Sequence, residues 1–233
     1  MPKNRGKEGS DDKLFGQVFM QRKMKEAVAD MSFLLERGYG EASSCELVGH
    51  RYKLNKRQQQ AIKGMAAGRT AVANRKAKQL TKEKLKGKEI IIDGFNLIIL
   101  LESMLSQAYL FEGKDGAFRD LSSLHGTYKS VNQTEEAIQM VGSFLTMQEV
   151  SKVIWVFDKP VSNSGRMKTK LLEFAAIHNY NWEVLLENNP DKLIANSTAV
   201  AITSDAWILD RVNTWFNFIA AVIPHDYKYL VTC

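Results

Sequence analysis

At 233 residues, with 45% hydrophobic and 25% charged residues, the chain can bury the core of one or two ordinary globular domains. Its two cysteines exclude a disulfide framework, and the most apolar run, residues 90–101, is too short to cross a membrane, so we expect a cytoplasmic protein without membrane contact. The net charge of +6 divides into +11 over residues 1–89 and −5 over residues 90–233, which indicates two modules with different tasks.

The front of the chain is predicted to be a small all-α domain over residues 14–68, preceded by a disordered tail over residues 1–13 with almost no apolar side chains. Apolar residues recur at three- and four-residue steps from Phe15 onward, which predicts a helix that ends near Gly38. A second helix follows, and Asn55 is a typical N-cap for a third. Three such helices fit a helix-turn-helix unit and, equally, a helical cap packed on the rest of the chain.

Residues 69–88 carry eight basic residues and a single acid, Glu83. This composition predicts a basic helical linker between the helical domain and the rest of the chain. Basic segments bind phosphate backbones by releasing counterions, so the linker is a candidate contact for nucleic acid. The alternative is a charged face that only keeps the protein in solution.

From residue 89 the pattern changes to alternating strands and helices. Four short apolar runs predict buried parallel strands, at residues 90–92, 153–157, 182–186 and 199–202. Amphipathic stretches predict helices that begin at Leu97, Thr134, Ser164, Asp191 and Ala206. This alternation predicts an α/β domain over residues 89–233, with a mostly parallel sheet covered by helices on both faces.

Three of the four predicted strands end in, or just before, an aspartate: Asp93, Asp158 and Asp205. Because the carboxyl ends of parallel strands meet at one edge of a sheet, these side chains are expected to lie close together. Carboxylates in that position do not all stay ionised without a cation, and their oxygens suit a hard divalent metal. Each aspartate alone could instead be the N-cap of the helix that follows it.

The segments IIIDGFNLI, VIWVFD and AITSDAWILD resemble the motifs of PIN-like domains, in particular of their NYN branch, and they occur in the same order. The first motif of that branch corresponds to Asp93, Gly94 and Asn96. The second motif, an aspartate after the next strand, corresponds to Asp158. The resemblance implies a PIN-like α/β fold over the carboxyl-terminal part of the chain.

Two further parts of the pattern also have counterparts. An aspartate that opens a short helix corresponds to Asp191, and the last motif corresponds to Ser204 and Asp205. Over roughly residues 25–215 the chain resembles, more narrowly, a poorly characterised prokaryotic family that joins a helical front end to a PIN-like domain. This closer resemblance is carried by LLERGYGEASSCELVGHRYKL, DGAFRDLSSLHGTYK and DKPVSNSGRM.

The resemblance implies metal-dependent hydrolysis of phosphodiester bonds, in RNA rather than DNA. Asp93, Asp158 and Asp205 would be catalytic, and together with Asp191 they would hold Mg²⁺ or Mn²⁺. Such an ion lowers the pKa of bound water and offsets charge on the phosphoryl oxygens. Two alternatives stay open: a nucleic-acid-binding module with little or no activity, and a metal-dependent phosphatase or nucleotide hydrolase.

Six more polar residues are candidates for contacting the substrate or supporting the carboxylates: Asn96, Arg119, Asp120, Ser162, Ser164 and Ser204. The serines at 162 and 164 lie at the start of a predicted helix, where hydroxyls and free amides suit a phosphate, although either is also an ordinary N-cap. Arg119 lies in a long turn-rich stretch and could bind phosphate or pair with a neighbouring aspartate.

The sequence leads to three further expectations, which concern nucleotide cofactors, oligomeric state and the tryptophans. There is no glycine-rich phosphate loop, so no nucleotide cofactor is expected. A homodimer is one option that the sequence leaves open. The four tryptophans fall at positions typical of a core and are not predicted to stack on bases: Trp155, Trp182, Trp207 and Trp215.

Overall fold

A computed structural model describes residues 5–122 and 128–233 and shows a helical unit followed by an α/β unit with a six-stranded parallel sheet. The predicted fold class is therefore confirmed. Residues 1–4 of the predicted tail and residues 123–127 of the turn-rich stretch lie outside the described residues. In the part of the chain that is described, no helix has both the length and the apolar character needed to cross a membrane.

The helical unit consists of five helices, α1 to α5, at Asp11–Phe15, Val18–Glu36, Glu41–Arg51, Lys56–Met65 and Arg69–Lys78. Helix α2 ends just before Gly38, whose φ of +82° suits glycine. Asn55 caps α4 as predicted, in a reciprocal capping box with Gln58. The predicted disorder does not extend over residues 5–13, because the buried Asp11 in α1 accepts hydrogen bonds from Arg57, a partner that composition cannot reveal.

The basic segment is helical only in its first half, where it forms α5. It continues into β1 (Gln79–Leu80), which pairs in parallel with β8 (Trp215–Phe216) at the edge of the main sheet, and then into a 3-10 turn. The indole nitrogen of Trp215 also donates to the carbonyl of Arg75 at 2.7 Å. The segment is thus built into the α/β unit, because apolar residues between its lysines, such as the fully buried Leu85, join the core.

The main sheet has the strand order β1-β8-β7-β2-β5-β6, with every pair parallel. Its four longer strands are β2 (Glu89–Asp93), β5 (Lys152–Asp158), β6 (Trp182–Glu187) and β7 (Val200–Ile202), each within one residue of its predicted bounds. Ile90 and Ile92 pack into the core on one face, and Ile91 packs on the other. Both faces are buried, as expected of a parallel sheet.

Helices cover both faces of this sheet. The larger core contains residues of α6 (Gly94–Leu105), α7 (Thr134–Met147) and α8 (Ser164–His178). The opposite face packs against α9 (Pro190–Ala195) and α10 (Ala206–Arg211), while α11 (Phe218–Val222) returns to the larger core. Helix α6 begins three residues earlier than predicted, directly after Asp93.

A second, three-stranded sheet connects the two units. It has the order β4-β3-β9, formed by β3 (Leu110–Glu112), β4 (Phe118–Arg119) and β9 (Leu230–Val231). Phe111 and Val231 of this sheet belong to the same buried cluster as Phe15 and Met24 of the helical unit. The helical unit therefore shares a core with strands that come from both ends of the α/β unit.

Candidate functional site

Asp93 lies at the centre of the predicted carboxylate edge, at the end of the inner strand β2, with 6% of its surface exposed. Its Oδ2 accepts hydrogen bonds from Nδ2 of Asn96 at 2.5 Å and from Oγ1 of Thr203 at 2.9 Å. Burial raises the pKa of Asp93 to about 7, the two hydrogen bonds oppose this, and the charges of Asp205 and Asp191 raise the pKa further. The side chain is therefore poised between its neutral and charged forms.

Asp205 follows β7, the neighbour of β2 on one side. Since Ile202 is in register with Ile92, Thr203 lies beside Asp93, and its Oγ1 also accepts a hydrogen bond from the backbone of Asp205 at 3.1 Å. Asp205 is at the same time the N-cap of α10, through a hydrogen bond to its Oδ1. Sequence reasoning missed Thr203, although it directly follows the predicted strand and lies two positions before Asp205.

Asp158 lies on β5, the neighbour of β2 on its other side, and Asp191 lies on helix α9. Asp158 is the last residue of β5, two positions beyond the residue that is in register with Asp93. Asp191 is exposed in the first turn of α9, and its pKa is raised by partial burial and then by the charges of Asp205 and Asp158. The four predicted aspartates therefore form one electrostatically coupled edge.

This edge is not a preformed cage for a metal ion. Among residues 5–122 and 128–233, no three histidine, cysteine, aspartate or glutamate side chains are grouped closely enough to hold one. Sites for Mg²⁺ that act on phosphates commonly use one or two carboxylates, several waters and the substrate itself, so they need no such group. The carboxylate donors are of the type that such sites use.

Arg119 is engaged entirely within the protein. Its guanidinium donates to both carboxylate oxygens of Asp115, at 3.0 and 2.8 Å, and its Nε donates to the carbonyl of Ser204 at 3.1 Å. Arg75 binds the same Asp115 at 2.7 Å and reaches Asp210 of α10 at 2.6 Å. The sequence left two options for Arg119, a phosphate contact and an ion pair with a neighbouring aspartate. In the structure Arg119 forms the ion pair, with Asp115. This network fixes the backbone immediately before Asp205.

The remaining predicted residues are divided between two places. The Oδ2 of Asp120 accepts hydrogen bonds from Ser103 and Ser122, and burial raises the pKa of Asp120. Ser162 and Ser164 lie instead at the start of α8. The first is exposed, and the buried hydroxyl of the second donates to the carbonyl of residue 159 at 3.3 Å.

A cleft of about 1090 Å³ lies between the helical unit and the strand end that carries Asp205, and Asp93, Asp158 and Asp191 do not line it. One wall is formed by α4 and α5, with Gln60, Lys63 and Asn74 among its residues. The opposite wall includes five residues near the strand ends: Asn96, Asp120, Ser204, Asp205 and Trp207. Neither Ser162 nor Ser164 lines this cleft.

Trp207 was expected in a core, but it is 39% exposed and faces the cleft. The short helix α10 buries Ile208 and Leu209 against the sheet, which turns the preceding residue outward. The helical wall of the cleft was missed as well, because it results from packing between distant segments.

Comparison with known proteins gives two family matches and one relative. Residues 82–221 match a domain of unknown function, DUF5616, and residues 23–78 match a protein of unknown function, DUF434. An uncharacterised protein of Methanocaldococcus jannaschii is 30% identical over 213 residues, which cover 89% of this chain and 98% of that protein. No solved structure matches the chain. The boundary between the two family matches falls within the basic segment.

Proposed function

This chain belongs to the family of the DUF5616 domain, and we propose that it is a metal-dependent nuclease that hydrolyses phosphodiester bonds. The observation that carries the proposal is the state of Asp93, a buried carboxylate whose pKa of about 7 is raised by burial and by two nearby aspartates. Ionising such a group costs free energy, and a divalent cation offsets that cost. The position of Asp93 at the carboxyl edge of a parallel sheet, hydrogen-bonded to Asn96 of the cleft wall, adds to this support.

The donor chemistry fits Mg²⁺ or Mn²⁺. The hydrogen bonds described for Asp93 use Oδ2, and the cap formed by Asp205 uses Oδ1, so each carboxylate has a second oxygen outside those bonds. Asp93 and Asp205 would hold the ion, with Asp158 and Asp191 as further ligands or as partners for its waters. When bound, the ion would supply an activated water and offset negative charge on the phosphate.

The chain's own residues orient this edge. Asn96 and Thr203 donate to Asp93 from two elements, which limits rotation of its carboxylate. Arg119 holds the carbonyl of Ser204 and thereby the turn that carries Asp205. Fixed carboxylates matter because misplacement by about 1 Å can cost a large part of the rate.

The substrate class rests on two arguments. The balance of +11 over residues 1–89 favours a nucleic acid over a small phosphate ester, although this charge lies mostly outside the cleft, where the charged residues of that part, Glu36, Glu41, Lys63 and Arg75, balance one another. The preference for RNA over DNA rests on the resemblance to PIN-like domains alone. Two other activities are outcomes of the test, namely binding without cleavage and hydrolysis of phosphate monoesters or nucleotides.

The test is cleavage of labelled single- and double-stranded RNA and DNA with Mn²⁺ or with EDTA. We expect cleavage by the wild type with Mn²⁺, and its loss in Asp93→Asn and Asp205→Asn. The matched control is Asp226→Asn, at an exposed aspartate in a turn, which should cleave normally. A folded wild type that binds without cleaving would favour a binding module, and one that hydrolyses only nucleotides or monoesters would favour a phosphatase.

A further inference from the structure

Trp207 is an aromatic side chain on the surface of the cleft rather than part of a core. It lies in the first turn of α10, two residues after Asp205, and 39% of its surface is exposed. By contrast, Trp155 and Trp215 are fully buried. An exposed indole at the rim of a polar cleft is available to a ligand with a flat ring.

Arg211 holds the indole in place. Its guanidinium carbon lies 3.9 Å from the centroid of the Trp207 ring, and its Nη1 donates to the carbonyl of Trp207 at 3.0 Å. The cation therefore covers one face of the ring, in the geometry of a cation–π contact. A flat aromatic surface next to a positive charge suits a nucleotide, which has an aromatic base and a negative phosphate.

The rest of the cleft has the chemistry that unpaired bases use. Amide side chains line both walls, with Gln60 and Asn74 on the helical side and Asn96 on the other. Lys63 also lines the cleft, where its half-exposed ammonium group pairs with Glu41 at 2.8 Å. The cleft volume of about 1090 Å³ is just above the range for sites that hold one small molecule, which leaves room for more than one nucleotide.

We propose that the cleft binds single-stranded nucleic acid, with one base stacked on Trp207 and the adjoining phosphate at the carboxylate edge. The inference rests on the proposed function, for which it names the substrate class. Stacking on a protein ring requires a base that has left the duplex, because paired bases are already stacked on their neighbours. Since Trp207 and Asp205 are two residues apart in one turn, the stacked base belongs to a nucleotide next to the reacting phosphate.

Binding measured without cleavage tests this proposal separately from the nuclease. Fluorescently labelled single-stranded RNA, single-stranded DNA of the same sequence and the corresponding duplexes are titrated in EDTA at low salt. We expect Trp207→Leu to bind single strands about tenfold more weakly, which is within the contribution of one base stacked on an aromatic ring. Trp207→Phe should retain most of the affinity, because a phenyl ring also stacks.

Phe33→Leu is the matched control. Phe33 is also an exposed aromatic residue, at 58%, with the guanidinium of Arg37 4.6 Å from its ring centroid, but it lies outside the cleft. Its variant should bind like the wild type, and melting curves should show that all three variants are folded. Comparing the affinities for single-stranded RNA and single-stranded DNA of the same sequence shows which sugar the site prefers.

Four binding results would each overturn the inference. Two concern the variants: wild-type affinity in Trp207→Leu, and an equal loss in Phe33→Leu. The other two are tight binding of duplex that is equally sensitive to Trp207, and the absence of any binding by the wild type. If binding depends on Trp207 but Mn²⁺ supports no cleavage, the single-strand site stands and the nuclease fails. If cleavage occurs with no dependence on Trp207, the nuclease stands and the stacking site fails.

Discussion

Replacing Asp93 with asparagine should stabilise the metal-free protein at alkaline pH. The folded-state pKa of Asp93 is about 7, against an ordinary value of 3.8, because the side chain is buried and lies near other carboxylates. A carboxyl group with a raised pKa contributes most to stability below its unfolded pKa, and this contribution is lost as pH rises through the folded pKa. Asparagine does not ionise, and its carbonyl oxygen can still accept from Asn96 and Thr203.

The magnitude follows from the two pKa values. The complete shift corresponds to about 4 kcal/mol at pH well above 7, at about 1.36 kcal/mol for each pKa unit. Part of this loss has already occurred at pH 5, so the advantage of Asp93→Asn should grow by about 2–3 kcal/mol between pH 5 and pH 8. For a chain of this length, that is a growth of about 4–12 °C in the difference between melting temperatures.

Urea unfolding in EDTA at the two pH values measures this difference, with Asp226→Asn, at an exposed position in a turn, as the comparison variant. An advantage of the Asp93 variant that is equal at both pH values, or smaller at pH 8, would refute the argument that burial and like charge act on this carboxylate. Saturating Mn²⁺ should then stabilise the wild type by about 3 kcal/mol at a hundred times its dissociation constant, and should not stabilise Asp93→Asn.

Two further substitutions test the packing that supports the site. Asp115→Asn should lower the free energy of unfolding at pH 7 by about 3–5 kcal/mol, because Asp115 is 1% exposed and pairs with two arginines. Its control is Glu135→Gln, in an exposed ion pair, which should lower the free energy of unfolding by less than about 1 kcal/mol. Equal losses in urea unfolding would contradict the buried network. Gly94→Ala should destabilise the protein by about 1–3 kcal/mol, because its new Cβ would lie 2.5 Å from the ring of Phe157. Its control is Gly165→Ala, whose new Cβ would have no atom within 4 Å and should not destabilise the protein. Similar melting temperatures for these two variants would contradict the close approach.

The main sheet could be predicted because its strands are encoded locally. Runs such as Ile90–Ile92 are apolar on both faces, which is typical of a parallel strand between two helical layers. The second sheet could not be predicted, because its strands are two or three residues long and pair across large sequence separations, as Leu110 does with Leu230. Such short segments have no periodicity from which a strand can be inferred.

The candidate site was predictable in part for the same reason. Asp93, Asp158 and Asp205 follow recognisable strands, so their position at one edge follows from the sheet. The hydrogen bond from Thr203 depends on the register of two strands, which the sequence does not specify. The exposed face of Trp207 depends on which side of a six-residue helix packs on the sheet, and that pattern is too short to interpret.

The shared core of the helical unit has a consequence for how the chain folds. Phe15 packs edge-to-face on Phe111, which in turn pairs with Val231, so helices made early in synthesis depend on a strand made roughly 200 residues later. Contacts this distant in sequence slow folding and leave apolar surface uncovered in the meantime. The helical wall of the cleft can therefore take its final place only when residue 231 is available. During synthesis the aspartates are therefore made before the cleft can form.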